Sequence, residues 1–303
     1  MKRPMNGMRS GWQAVHPALS FLYYAGLGLL ILLAFHPVIA AGILALSVLF
    51  NVLVGLGRRT WKTLAWCLAA GVVIVAVNML TNHRGRHVLF VWPNQPVTLE
   101  ALLYGAQNAL MLICVLLVIL SYAHVVSPQK WLYLFSRPFP KLSLMISLSV
   151  RFVPLLLRRL AEISDVHRMR GIAVTEGTVR ERAESAMKQL QALLSWSLEE
   201  AVQTADSMLA RGYGAVRRRG TYHPYRWTRR DTMLAVVLGV WLAASIGCWV
   251  YGAGRLDIYP VMEPLAPTAQ DAAAALAVWF YACVPVLVEE RERWRWRSWK
   301  SEM

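Results

Sequence analysis

The chain has 303 residues, 57% of them hydrophobic and only 16% charged, and 32 Lys and Arg against 17 Asp and Glu give a formal charge of +15. That balance is too apolar for an ordinary soluble domain. Several runs approach the ~20 apolar residues that cross a hydrocarbon core, so the expected fold class is all-α, a polytopic membrane protein with about six transmembrane helices.

In chain order the predicted spans are Ala18–Phe35, Val38–Leu56, Leu64–Leu80, Ala101–Val126, Thr232–Gly254 and Ala272–Val288. His36-Pro37 separates the first two. The first run does not read as a signal peptide, because no small-residue cleavage site follows it and a second apolar run does. With six spans and both termini inside, 29 of the 32 Lys and Arg fall on the cytoplasmic side, and the loops around "NHRGRH" and "GAGRLDIYP" hold the other 3. That bias follows the positive-inside rule and argues against nucleic acid as the reason for the charge.

The division expected is therefore 1–126 with four spans, a cytoplasmic or membrane-boundary region over 127–231, a transmembrane hairpin over 232–290, and a basic Trp-rich tail over 291–303. In the tail, Trp294, Trp296 and Trp299 alternate with Arg293, Arg295, Arg297 and Lys300. Indole rings favour the headgroup region and basic side chains reach anionic phosphates, so membrane lipids are the expected partner there. Cys67, Cys114, Cys248 and Cys283 lie in apolar runs with no CxxC pair and read as small buried hydrophobes. His83 and His87 flank Gly85, which favours a turn over a metal-binding helix face. No metal site and no cofactor is expected.

The central region opens with Ser127 positioned to cap a short helix starting at Pro128, with Trp131, Leu132, Leu134 and Phe135 as its apolar face and Pro138 and Pro140 as its end. Leu142–Leu157 is apolar but contains Arg151 and Pro154, which argues against a simple lipid-exposed span. It is read as a kinked helix at the cytoplasmic boundary, with Arg158 and Arg159 at lipid phosphates, running on to Arg170 and stopped by Gly171. A third helix carries Ala183, Met187, Leu190, Leu194, Leu198, Ala201, Ala205 and Met208 at helical 3–4 spacing and stops at Gly212. Its stripe is expected mostly to pack within the chain and partly to face a partner. Each long helix thus ends in an arginine followed by a glycine: Met169-Arg170-Gly171 and Ala210-Arg211-Gly212. Helix termination explains either one alone, since a cation complements the dipole and glycine takes the left-handed turn. Two such ends also suit recognition, because the guanidinium fork makes paired hydrogen bonds to carboxylates or carbonyls.

These ends, together with "HPALSFLYYAGLGLLILLAFHP", "NHRGRHVLF", "VTLEALLYG", "WLYLFSRPFPKLSLMISLSVRFVPLLLRR" and "LLSWSLEEAVQTADSMLARGYG", resemble the transmembrane T component of energy-coupling factor (ECF) transporters over about residues 16–231. In that family two cytoplasmic coupling helices each end in an Ala-Arg-Gly motif that docks in a groove of one of two ATPase subunits. The T component also binds a membrane S component that captures a vitamin or metal ion. Ala210, Arg211 and Gly212 match the second motif; Arg170 and Gly171 match the first, where Met169 departs from the family's alanine. The resemblance implies a bacterial cell-membrane subunit whose coupling helices slide or tilt as the ATPases close and open. His167 and Arg168 flank the first end while Met208 and Leu209 flank the second, so the expected ATPase subunits are non-identical.

No catalytic residue is expected. The sequence has no GxxxxGK[ST] phosphate loop, GxSxG or HExxH, and Glu199, Glu200 and Asp206 read as a solvated salt-bridge face. The alternatives are a secondary transporter, for which Arg151 is the one intramembrane charge, and a membrane-embedded enzyme. For the latter, Asn51, Asn78, Gln107 and Asn108 are the polar groups within spans, and such amides more often join helices.

Overall fold

A computed structural model describes residues 11–82, 87–92, 95–136, 138–170, 178–215, 225, 227–256 and 268–301, without the side chains of 88–92, 95–97 and 296–301. The elements are α1 (Pro17–Leu33), α2 (Pro37–Leu53), α3 (Gly57–Thr81), β1 (Val88–Trp92), β2 (Gln95–Thr98), α4 (Leu99–Val125), α5 (Pro128–Ser136), α6 (Pro140–Met169), α7 (Val179–Ala210), α8 (Arg229–Val250) and α9 (Ala269–Ser301). The fold is that of an all-α, multi-pass membrane protein. It divides into two units, 1–131 with 225–303, and 132–224.

In the first unit α1 and α2 begin alike. His16 and His36 each accept the N–H two residues on (Ala18 and Val38, both 3.3 Å) through Nδ1, and Pro17 and Pro37 follow in the first turn, where no N–H is missed. These two helices have 17 residues each, the short end of what spans a bilayer, whereas α3, α4, α8 and α9 are longer and amply apolar. The core is where α1, α2, α4, α8 and α9 meet, through Leu19, Leu27, Ile39, Ile43, Cys114, Leu238 and Tyr281. The Tyr281 hydroxyl donates to the carbonyls of Leu22 and Tyr23, both at 3.1 Å, and the Tyr23 hydroxyl donates to Ala282 at 3.2 Å. Gly26 permits this clasp, because a Cβ there would strike the Tyr281 hydroxyl. Two of the four amides join helices: Asn51 Nδ2 donates to Leu117 O at 3.2 Å and Asn78 Nδ2 to Ala101 O at 2.6 Å. Gln107 is buried and its amide atoms find no partner among the described residues.

A β-hairpin that the sequence reading did not anticipate precedes α4, with β1 antiparallel to β2 in the register Phe90 to Val97 and Trp92 to Gln95. Its base is tied to α4, since His87 contacts the buried Glu100 carboxylate by both its backbone N–H (3.2 Å) and Nδ1 (3.0 Å). His83 lies outside the described residues. At the other end of α4, Trp131 packs edge-on against Phe21 and Tyr122.

The second unit is built on α6 and α7. Pro140 does not end α5, as expected from the sequence, but opens α6 as its first residue, where proline's fixed φ suits a helix start. α6 continues through Pro154 for 30 residues and is apolar enough over part of its length to cross a membrane. α7 starts at a capping box: Thr178 Oγ1 accepts from Glu181 N–H (3.4 Å) and Glu181 Oε2 accepts from Thr178 N–H (2.8 Å).

Arg159 lies 5.3 Å over the Trp196 ring and pairs with Glu162 at 2.7 Å. Two expectations change here. Among the described residues Glu199, Glu200 and Asp206 form no ion pair, and α7 carries no basic residue three or four positions from any of them. Much of the α7 stripe is open, with Met187, Leu190, Leu194 and Leu198 46–70% exposed, while Met208 lines a groove with α6. The α6 face is instead met by a neighbouring row that includes Gln189, Leu193, Trp196, Ser197 and Glu200, and no residue of α6 is fully buried. The 3–4 period continues into α6, where Leu142, Met145, Ile146, Val150 and Val153 are at least half exposed.

Candidate functional site

The two arginine ends sit on one hairpin and point away from each other. Arg159 meets Trp196, while residues 148–155 of α6 line a groove with residues 200–211 of α7, so the helices run antiparallel. From that contact Arg170 lies 11 residues along α6 and Arg211 lies 15 residues along α7 in the opposite direction. At ~1.5 Å per residue these are about 16 and about 22 Å, placing the ends at opposite tips.

The end of α7 is a complete Schellman turn. Gly212 N–H donates to Leu209 O at 2.9 Å and Tyr213 N–H to Met208 O at 3.0 Å, with Gly212 at φ +80°. A glycine is required there because an L side chain in the left-handed region costs about 1–2 kcal/mol. Ala210 and Arg211 are exposed, and the backbone is closed on itself beneath them. At the end of α6 the Arg170 N–H donates to His167 O at 3.0 Å and Val166 O at 3.3 Å. Met169 is 80% exposed and Arg170 is exposed beside it, whereas Gly171 lies outside the described residues. The structure thus leaves both arginines at the surface, one beside a long thioether and the other beside a single methyl.

A groove of about 370 Å³ adjoins the α7 end, lined by Leu148, Arg151, Phe152 and Leu155 of α6 and by Glu200, Gln203, Thr204, Ser207, Met208 and Arg211 of α7. The α7 start, which sets the register of that helix, has its own electrostatic signature. The backbone N–H and then the hydroxyl of Thr178 hold the Glu181 carboxyl below its ordinary value. The capping box was legible as Thr178-Val179-Arg180-Glu181; the Arg159–Trp196 stacking was not, since it joins residues 37 apart.

A family model described as the cobalt transport protein CbiQ matches residues 10–222, including both arginine ends. The chain belongs to this family. Several curated relatives are named energy-coupling factor transporter transmembrane protein EcfT. The one from Bacillus subtilis (strain 168) is 35% identical over 122 residues, covering 40% of this chain and 44% of the relative. The one from Staphylococcus aureus (strain 04-02981) is 26% identical over 163 residues, 50% and 60% of the two chains. The one from Lactobacillus helveticus (strain DPC 4571) is 26% identical over 215 residues, 66% and 76%. The chain thus spans about three fifths or less of the first two of these relatives. Family and apolar helices together make this a multi-pass membrane protein of a transport family.

Proposed function

We propose that the chain is the coupling subunit of an ECF transporter in a bacterial cell membrane, with α6 and α7 as its two coupling helices. Arg170 and Arg211, with Met169, Gly171, Ala210 and Gly212, dock one ATPase subunit each. The observation that carries this reading is the pair of exposed, oppositely directed arginine tips inside the region that the family model matches. A rigid hairpin with a partner at each tip moves when those partners close on ATP and open after hydrolysis. The chain hydrolyses nothing itself; its sequence has no phosphate loop.

The exposed stripe of Met187, Leu190, Leu194 and Leu198 is the surface for a substrate-binding S component carrying a vitamin or metal ion. An apolar patch left open on one chain suits a partner that covers it. Residues 127–231 form the cytoplasmic coupling region, both termini lie inside, and the 291–303 tail meets lipid. The unequal flanks of the tips favour two non-identical ATPase subunits. The test is purification of tagged protein in mild detergent from cells expressing the whole system. Two nucleotide-binding subunits and one small membrane protein should accompany it; a chain that purifies alone and transports alone contradicts the proposal.

A further inference from the structure

Arg151 shares the groove with Arg211. It belongs to α6, in the middle of an apolar run, and comes beside the end of α7 only because the helices are antiparallel. Among the described residues neither the Arg151 nor the Arg211 guanidinium makes a hydrogen bond or an ion pair, whereas the Arg159 side chain, two turns on, has both Glu162 and Trp196. Among the described residues Glu200 is the one carboxylate lining the groove, and no ion pair ties it to either arginine. Leu148, Phe152 and Met208 supply apolar walls, and Thr204 and Ser207 supply hydroxyls.

The charge balance selects the ligand. A helix C-terminus carries about half a negative charge, which by itself repels an anion. Two guanidiniums outweigh that and Glu200 by roughly half a unit, so the groove suits a single negative charge and not a phosphate monoester of about two. Planar forks from two arginines match the two oxygens of a carboxylate, and apolar walls strengthen the contact by excluding water.

We propose that this groove is a two-arginine clamp for one carboxylate side chain of the ATPase subunit that meets the α7 tip, and that Arg151 is a binding residue of that contact. The proposal rests on the coupling reading above. It makes the α7 tip selective for an acidic position on its own ATPase, through a residue 60 positions from Arg211 in the chain.

The test is the affinity of each purified ATPase subunit for the full chain in detergent, measured for wild type, R151Q, R151K, R211Q and R151Q/R211Q. R151Q should weaken the same ATPase subunit as R211Q by about tenfold or more and leave the other unchanged. The double variant should lose less than the product of the single losses, because both arginines serve one group. R151K, which keeps the charge and loses the fork, should fall between wild type and R151Q, and remains informative where R151Q unfolds. Wild-type binding with R151Q and R151K, alongside loss in R211Q, overturns the clamp and leaves the coupling reading standing. Retention of both subunits by R211Q removes the coupling reading at this tip. If R151Q instead loses bound phosphatidylglycerol from nanodiscs with ATPase affinity unchanged, the groove is a headgroup site and the clamp is wrong.

Discussion

At the scale of single residues, the Arg-Gly ends were legible because a cation followed by glycine has a physical meaning at a helix terminus. Gly212 bears this out at φ +80° with both Schellman bonds made. Gly212→Val should force a β-branched side chain into the left-handed region at about 1–2 kcal/mol or more. Amides of residues 208–213 should then exchange roughly five- to thirtyfold faster, and binding at this tip should weaken; unchanged exchange would show that the turn is not held by glycine. Glu181 gives a pH dependence with a definite sign. Its carboxyl is held low in the folded state by Thr178, so the stabilisation is fully present above the unfolded value of about 4.3 and is lost as pH falls through the lower folded value. Protection factors over 178–186, taken relative to the intrinsic exchange rate at each pH, should therefore be flat near neutrality and fall in acid, and E181Q should abolish the fall. What the sequence did not disclose at this scale is which charges are engaged. Arg159 and Arg151 are two turns apart on one helix, yet one stacks on Trp196 and the other's side chain has no ion pair among the described residues, and that depends on the register with α7.

At the scale of elements, periodicity located α7 and its stripe but not what covers the stripe. A 3–4 repeat reports that a helix has an apolar face; it is silent on whether the cover is in the same chain. The structure turns a neighbouring row toward α6 and leaves Leu190, Leu194 and Leu198 open. Replacing those three leucines by glutamine should therefore change the melting temperature of the isolated chain little, as surface substitutions usually stay within about 0.5 kcal/mol each. Recovery of the S component with the chain should fall sharply. Unfolding of the isolated chain would return the stripe to the core. The β1–β2 hairpin is hard to see in sequence because two short strands within a loop carry little signal, and a proline such as Pro140 suits a helix start as well as a helix end. Trp131 illustrates an element joint. It packs on Phe21 and Tyr122, and Trp131→Ala removes two aromatic contacts worth about 0.5–1.5 kcal/mol each beyond the lost area. The variant should melt earlier and transport less while still retaining ATPase subunits at the tips.

At the scale of the whole molecule, the class was legible from composition, and the charge bias carries an orientation. Leu256 is only 7% exposed, with its N–H donated to Phe35 O, whereas the neighbouring Arg255 is exposed and accessible to a label. A cysteine at Arg84 or Arg255 should react with an impermeant reagent on intact cells, and one at Arg59 or Gly220 only after permeabilisation. External labelling at Gly220 would put the hairpin on the side without ATP. The central claim is that force enters through two arginines. On the proposed reading each makes a charged contact, and truncating such a contact typically costs ~2–5 kcal/mol. The most direct measurement is ATP-driven substrate uptake, with co-purified ATPase, for R170A/R211A beside wild type at equal membrane abundance. The account predicts no uptake and no bound ATPase subunit; uptake at the wild-type rate in the double variant would contradict it.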